Sequence, residues 1–180
     1  MDWSTAESQE LRFSRVLQVL DDEEARSVID YGCGYGALLD YLSASGRRVA
    51  YHGFDISQAM IQAALARHAG VGHASFTADA SQLALADYVV ASGIFNVKLG
   101  HPAEAWWDYV SQTLASMQSL CRRGFAFNML TTHSDPDKQR DDLFYADPCR
   151  VFDTCRQRFS PRVALLHDYP LYEFTIIVRA

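Results

Sequence analysis

"SVIDYGCGYG", residues 27–36, decides how this chain is read. A short apolar run ends in Asp30 and then meets Gly32, Gly34 and Gly36, each separated by one residue. An apolar run bounded by glycines reads as a buried strand followed by a tight turn. Glycine adopts positive φ without strain and lets a ligand come close to the main chain. In open α/β sheets that position, between a strand and the next helix, is where ligands bind. The turn alone leaves the ligand open, because Gly32, Gly34 and Ala37 also satisfy the dinucleotide pattern G-x-G-x-x-G/A.

Working outward, helix and strand patterns alternate along the chain. Ser4 and Glu7 form a capping box ahead of a helix with Phe13, Val16, Leu17 and Leu20 at helical spacing. Residues 37–43 are predicted helical, closed by Gly46. Residues 48–56 read as a second strand. Ser57 caps a helix whose inner face is Ile61, Ala64 and Leu65, with Ile56 and Ile61 placed to form a hydrophobic staple. Residues 74–79 and 87–95 are a third and a fourth strand. Pro102 opens a long helix carrying Trp106, Val110, Leu114, Met117 and Cys121. Residues 123–130 are a fifth strand. Asp147 and Pro148 start a helix with Phe152, Cys155 and Phe159. Residues 163–170 and 172–179 are two last strands joined by a tight turn, which is too short for a parallel crossover and so requires antiparallel pairing. The expected fold is α/β: a doubly wound, mostly parallel seven-stranded sheet with the last strand reversed and an N-terminal helix, in a single domain spanning 1–180.

Composition narrows the classes. Hydrophobic residues make up 49% and charged residues 21%, as in an ordinary globule. The formal net charge of −6 argues against a nucleic-acid partner, since phosphate contacts need a basic face. No apolar run reaches the ~20 residues of a membrane span, and the acidic, polar start lacks a signal-peptide pattern, so a cytoplasmic location is expected. Cys33, Cys121, Cys149 and Cys155 form no CxxC pair, which speaks against a zinc site or a disulfide scaffold; all but Cys33 read as reduced and mostly buried. No metal is expected.

Asp30, Gly32, Gly34 and Gly36 together resemble the D-x-G-x-G-x-G turn of class I S-adenosylmethionine-dependent methyltransferases. Asp55 lies about 20 residues past the glycines, at the end of the second strand, where a carboxylate can accept from both hydroxyls of a ribose. The resemblance implies S-adenosylmethionine as methyl donor and S-adenosylhomocysteine as product. It implies that Asp30 meets the donor's amino group, that Tyr31 and Cys33 flank the ligand through their backbones, and that Asp79 and Ala80 meet the adenine. Ile56 and Met60 would wall the adenine pocket, and Ser92 and Gly93 would run beneath the methyl donor. Trp3 would help to close the pocket. Two other readings remain open: a nicotinamide-dependent oxidoreductase, and a non-catalytic donor-binding partner protein.

The acceptor side must come from loops at the carboxyl ends of the later strands. Asn96, Lys98 and His101 follow the fourth; His133, Asp135 and Tyr145 lie in a long polar stretch after the fifth; His167, Asp168, Tyr169 and Tyr172 follow the sixth. A loop of such length in a compact domain is usually functional or mobile. For O- or N-methylation His133 is the first choice of base, because imidazole titrates near neutral pH, with Asn96 and Tyr145 beside it. With no large insertion in the sequence, a small-molecule acceptor is expected; oligomeric state is left open.

Overall fold

The computed structural model describes residues 5–20 and 26–180. Its strands are β1 (Ser27–Tyr31), β2 (Ala50–Phe54), β3 (Ala74–Thr77), β4 (Ala86–Ala91), β5 (Cys121–Thr131), β6 (Tyr145–Ala146), β7 (Val163–Leu166) and β8 (Glu173–Arg179). They form one sheet in the order β3-β2-β1-β4-β5-β8-β7, with β6 paired to the end of β5. All of the long strands run parallel except β8, which is antiparallel to both β5 and β7. The expected seven-stranded sheet with its last strand reversed is therefore present, and β6 is a two-residue addition.

Period-two alternation places the two cores. Val28 of β1, Val90 of β4 and Ile177 of β8 face α1 (Ala6–Val16) and α2 (Ala37–Ala44). Ile29, Val89 and Ile176 face α4 (Ala103–Ser119) and α5 (Pro148–Arg158). Between them in sequence, α3 (Gln58–Arg67) packs on β3. The β3–β4 crossover takes only residues 78–85 and a short 3₁₀ turn, Ala80–Gln82, where such connections usually need a dozen residues and a helix. Strand order reverses about β1: β2 lies on one side of it and β4 on the other. That is the switch point at which such sheets open a crevice.

Local chemistry explains the element ends. The α2 C-terminus is a Schellman turn, with Gly46 at φ 72° and the Arg47 amide bonded to the Leu42 carbonyl. Asp147 caps α5 by accepting from the amides of Cys149 and Arg150, and Pro148 occupies the first turn. Ser57 accepts from the Met60 amide to cap α3.

Several local expectations change. Ser4 and Trp3 lie outside the described residues, and the α1 N-cap is Thr5, which accepts from the Ser8 amide. Ile56 is 85% exposed, so no staple forms with buried Ile61, and Leu65 faces outward because only Ile61 and Ala64 meet the core. Pro102 sits one residue ahead of α4 as its N-cap. Cys121 belongs to β5 rather than to α4, and Cys149 is exposed. The fourth strand ends at Ala91. The sixth stops at Leu166, leaving six residues, 167–172, before β8 instead of a tight turn.

Candidate active site

The glycine turn is pinned to its neighbours by its own backbone. The Gly32 and Cys33 amides both donate to the Phe54 carbonyl at the end of β2, at 2.7 and 2.9 Å. Gly32, Gly34 and Gly36 have φ of 87°, 53° and 85°. At Gly32 a Cβ would fall 2.1 Å from Ile94 Cγ2, and at Gly36 one would fall 2.7 Å from His68 Nε2, so sterics and φ both demand glycine there. Above Gly34 and Gly93, by contrast, nothing lies within 4 Å of where a Cβ would be. Those two positions leave the main chain open to a ligand.

Asp55 ties the turn to β2. Its Oδ2 accepts from the Gly34 amide at 2.9 Å and its Oδ1 from the Ser57 amide at 2.8 Å. A carboxylate has about four acceptor positions, so two remain to face outward. Asp30 is buried at the end of β1 and accepts from the Tyr51 hydroxyl at 2.6 Å. Burial raises its pKa to about 7, partly offset by the Tyr51 hydrogen bond and reinforced by the nearby Asp55 charge. A cavity of about 370 Å³ opens over these groups, lined by Arg12 and Phe13 of α1, Asp30, Gly34, Gly93 and Ile94. That volume is in the range of small-molecule sites. A buried acid on the floor, open glycine main chain and a paired acid at the end of β2 fit the amino-acid tail and ribose of a sulfonium nucleoside.

The family described as "Methyltransferase domain" matches residues 29–124. A Mycobacterium tuberculosis protein named "Putative methyltransferase Rv1506c" is 50% identical over 163 residues, covering 91% of this chain and 98% of that one. The chain belongs to the methyltransferase family. Its fold agrees: magnesium protoporphyrin IX methyltransferase from Synechocystis PCC 6803, solved with bound SAH, superposes with a TM-score of 0.66 at 16% identity, over 99% of this chain and 89% of that one. Human N-acetylserotonin methyltransferase, solved with SAM, gives 0.65 at 15% identity over 96% of this chain and 54% of that one. The chain is thus a class I methyltransferase whose donor is S-adenosylmethionine.

In this methyltransferase the donor candidates fall into two groups. Asp30, Gly32, Cys33, Gly34, Ser92 and Gly93 line the cavity. Asn128, fully buried in β5, shapes the bend after β4: its Oδ1 accepts from the Gly93 amide at 2.9 Å and its Nδ2 donates to Ser92 Oγ at 3.2 Å. Cys33 is buried there, and burial pushes its thiol up. Tyr31 is half-buried against Phe54, and Gly36 packs on His68. Ile56, Met60, Asp79 and Ala80 form an open, exposed shelf beyond Asp55. Asp79 caps its own turn, accepting from the Ser81 amide and hydroxyl, which holds its carboxyl below the usual range.

On the acceptor side the long polar stretch is ordered rather than loose. Lys98 and Leu99 amides donate to the Asp142 carbonyl, Phe144 donates to the Asn96 carbonyl, and Val97 bridges Leu143. Asn96 is fully buried, with Oδ1 accepting from the Leu130 amide, so it clips this loop to β5. Tyr145 accepts from the Arg140 amide at 3.0 Å, which commits its hydroxyl to the same loop. His133 is exposed and faces His167, with ring centroids 5.8 Å apart. Burial and the neighbouring His133 both lower the His167 pKa. None of Asn96, His133 and Tyr145 lines the cavity.

Sequence reasoning missed Arg12, Glu173 and Tyr51. Arg12 Nε bonds both carboxylate oxygens of Glu173, at 2.9 and 3.1 Å, and both residues are buried. The signal was there: an arginine on the apolar face of α1 and an acid opening the apolar strand "EFTIIVR".

Proposed function

We propose that this methyltransferase acts on a small-molecule acceptor at oxygen or nitrogen. The observation that carries the proposal is a buried carboxylate, Asp30, on the floor of a cavity whose wall is open glycine main chain. Asp30 meets the donor's ammonium group, and Asp55 turns its free acceptor positions to the ribose diol. Tyr31 and Cys33 border the donor through their backbones, and Gly36 sets the start of α2 beneath it. Ile56 and Met60 cover the adenine, and Asp79 with the Ala80 main chain meets its amine. Ser92 and Gly93 support the sulfur end. When bound, S-adenosylmethionine supplies an electrophilic methyl group on a sulfonium.

The chain's own task is to hold the acceptor in line with that methyl group and to exclude water, an effect worth up to ~7–11 kcal/mol. His133 would serve as the base that takes the acceptor's proton as the methyl group is transferred from sulfur. Asn96 and Tyr145 serve by keeping the 132–144 loop folded beside His133. Two observations favour a small acceptor: the ordered loops 96–101 and 140–144 are laced together at the acceptor side, and two fold neighbours are named for small-molecule acceptors.

Thermal shift is the test. Saturation at a hundred times Kd raises stability by ~2.7 kcal/mol. S-adenosylmethionine and S-adenosylhomocysteine should raise Tm and NADH should not. Incubation with a methyl-labelled donor and a low-molecular-weight extract should then yield a labelled small molecule. A shift with NADH alone overturns the reading, and label found only on protein overturns the acceptor class.

A further inference from the structure

We propose that Tyr51 is a positioning residue for donor capture: its buried hydroxyl, 2.6 Å from Asp30 Oδ2, keeps that carboxylate charged and aimed at the cavity. The proposal rests on the reading of Asp30 as the contact for the donor's ammonium group.

The geometry is specific. Val28 of β1 pairs with Tyr51 of β2, so Asp30 and Tyr51 are diagonal neighbours on one sheet face, within reach of a long aromatic side chain. Tyr51 is wholly buried and packs against Phe76, which leaves its hydroxyl a fixed direction. A charged group in such a place is costly unless it is hydrogen-bonded. The other groups facing Asp30 do not substitute for that bond. From the end of β2, Asp55 adds like charge; from the turn, the Cys33 thiol is neutral; from α1, Arg12 shares the cavity but is engaged with Glu173 of β8.

With its pKa near 7, Asp30 sits where a small change in environment decides its charge. The hydrogen bond acts to lower that value and burial to raise it. Losing the hydroxyl moves protonation of Asp30 upward in pH. A protonated Asp30 offers the donor's ammonium group a neutral partner. The consequence is a donor site whose affinity depends on pH, with Tyr51 setting the midpoint.

The test is isothermal titration of the full chain with S-adenosylhomocysteine between about pH 6 and 8.5, with Asp30→Asn titrated over the same range to subtract the ligand's own α-amino group, which begins to lose its proton in the upper part of it. The tail-less 5′-methylthioadenosine serves as second probe. Wild-type affinity for S-adenosylhomocysteine should fall about fivefold over the unit of pH below the midpoint, as the charged fraction of Asp30 drops from about one half to about one tenth. Tyr51→Phe should shift that fall to higher pH, giving a several-fold loss at neutral pH that shrinks as pH rises. Asp30→Asn should bind weakly at every pH, and adding Tyr51→Phe to it should change nothing. Affinity for 5′-methylthioadenosine should stay level in all variants.

An equal loss for both probes, or a loss that does not vary with pH, assigns Tyr51 to packing and overturns the proposal. If Tyr51→Phe does not fold, the wild-type profile decides: affinity that is flat over this range overturns the proposal. Failure of either probe to bind wild-type protein instead overturns the donor reading itself.

Discussion

The two halves of the sheet's carboxyl edge are built in different ways. The half at β1, β2 and β4, proposed for the donor, is made of main chain and the acids tied to it: three glycines, and two aspartates each fixed by hydrogen bonds. The half proposed for the acceptor, at β5, β8 and the 96–101 and 132–144 loops, is made of side chains brought together across long sequence separations. Asn96 meets Leu130 across 34 residues there, and where the two halves join, Arg12 of the cavity wall meets Glu173 across 161. A ligand that never changes can be held by backbone geometry, which tolerates little variation. An acceptor that differs from enzyme to enzyme is better met by side chains on separate elements.

The largest expected effect breaks the donor half. Gly32→Val places a branched side chain at φ 87° into the space held by the Ile94 side chain, whose Cγ2 would lie 2.1 Å from the new Cβ. Titration with S-adenosylhomocysteine should show no binding. Adding Ile94→Ala removes the clash but not the backbone strain, so binding should return only in part. Full recovery would mean that sterics alone, not φ, require glycine at this position.

Where the two halves join, Arg12→Ala leaves Glu173 buried without its partner, which should destabilise the fold by about 3–5 kcal/mol in denaturant unfolding. Burial already raises the Glu173 pKa, while Arg12 opposes that rise. Without Arg12 the folded value climbs further above the unfolded one. Stability is then retained below the unfolded carboxyl range and lost as pH rises through the folded value. The loss should therefore be larger at pH 8 than at pH 5, and Arg12→Ala with Glu173→Gln should recover much of it. Additive losses in that pair would show that the two side chains act separately.

Asp30→Asn compares function with stability inside the donor half. The folded pKa of about 7 lies above the unfolded value of 3.8. Its contribution is thus fully present below the unfolded value and is lost as pH rises through 7. At pH 8 the buried charge destabilises the ligand-free fold by about 2–4 kcal/mol, from the linkage between pKa and stability. Asparagine should raise Tm at pH 8, leave it little changed near pH 4, and weaken donor binding. A lower Tm at pH 8 would mean that the amide loses more in its hydrogen bond with Tyr51 than removal of the charge gains.

The same contrast decides what could be read in advance. The alternation of strand and helix, the reversed last strand, the Ser57 and Asp147 caps, and the glycine turn with its two aspartates follow from local patterns of residues. The shelf residues Ile56 and Met60 are also local, though Ile56 was expected to staple α3 and instead stands in solvent. Arg12 and Glu173 are a matched pair only once α1 has folded over β8, and Tyr51 matters only because β1 and β2 pair in one register. The 131–148 stretch reads only as a long polar loop, functional or mobile, because its order comes from partners in another loop: Asp142 receives the Lys98 and Leu99 amides.

That lacing leaves one strained residue, and it supplies the smallest expected effect. Leu99 has φ 53°, a left-handed conformation that costs a non-glycine residue roughly 1–2 kcal/mol. Its side chain is 63% exposed, so removing it sacrifices little packing. What holds the conformation is the pair of amides, Lys98 and Leu99, converging on one Asp142 carbonyl. Leu99→Gly releases the strain, while the unfolded chain gains freedom worth about 0.5–1 kcal/mol. The net stabilisation should be about 0.5 kcal/mol, a Tm rise of roughly 1–2 °C for a chain of this size. If the variant is instead less stable and turns over acceptor more slowly at unchanged donor affinity, the exposed leucine is held against its backbone preference in order to meet the acceptor, and the strain belongs to the acceptor half's function rather than to its fold.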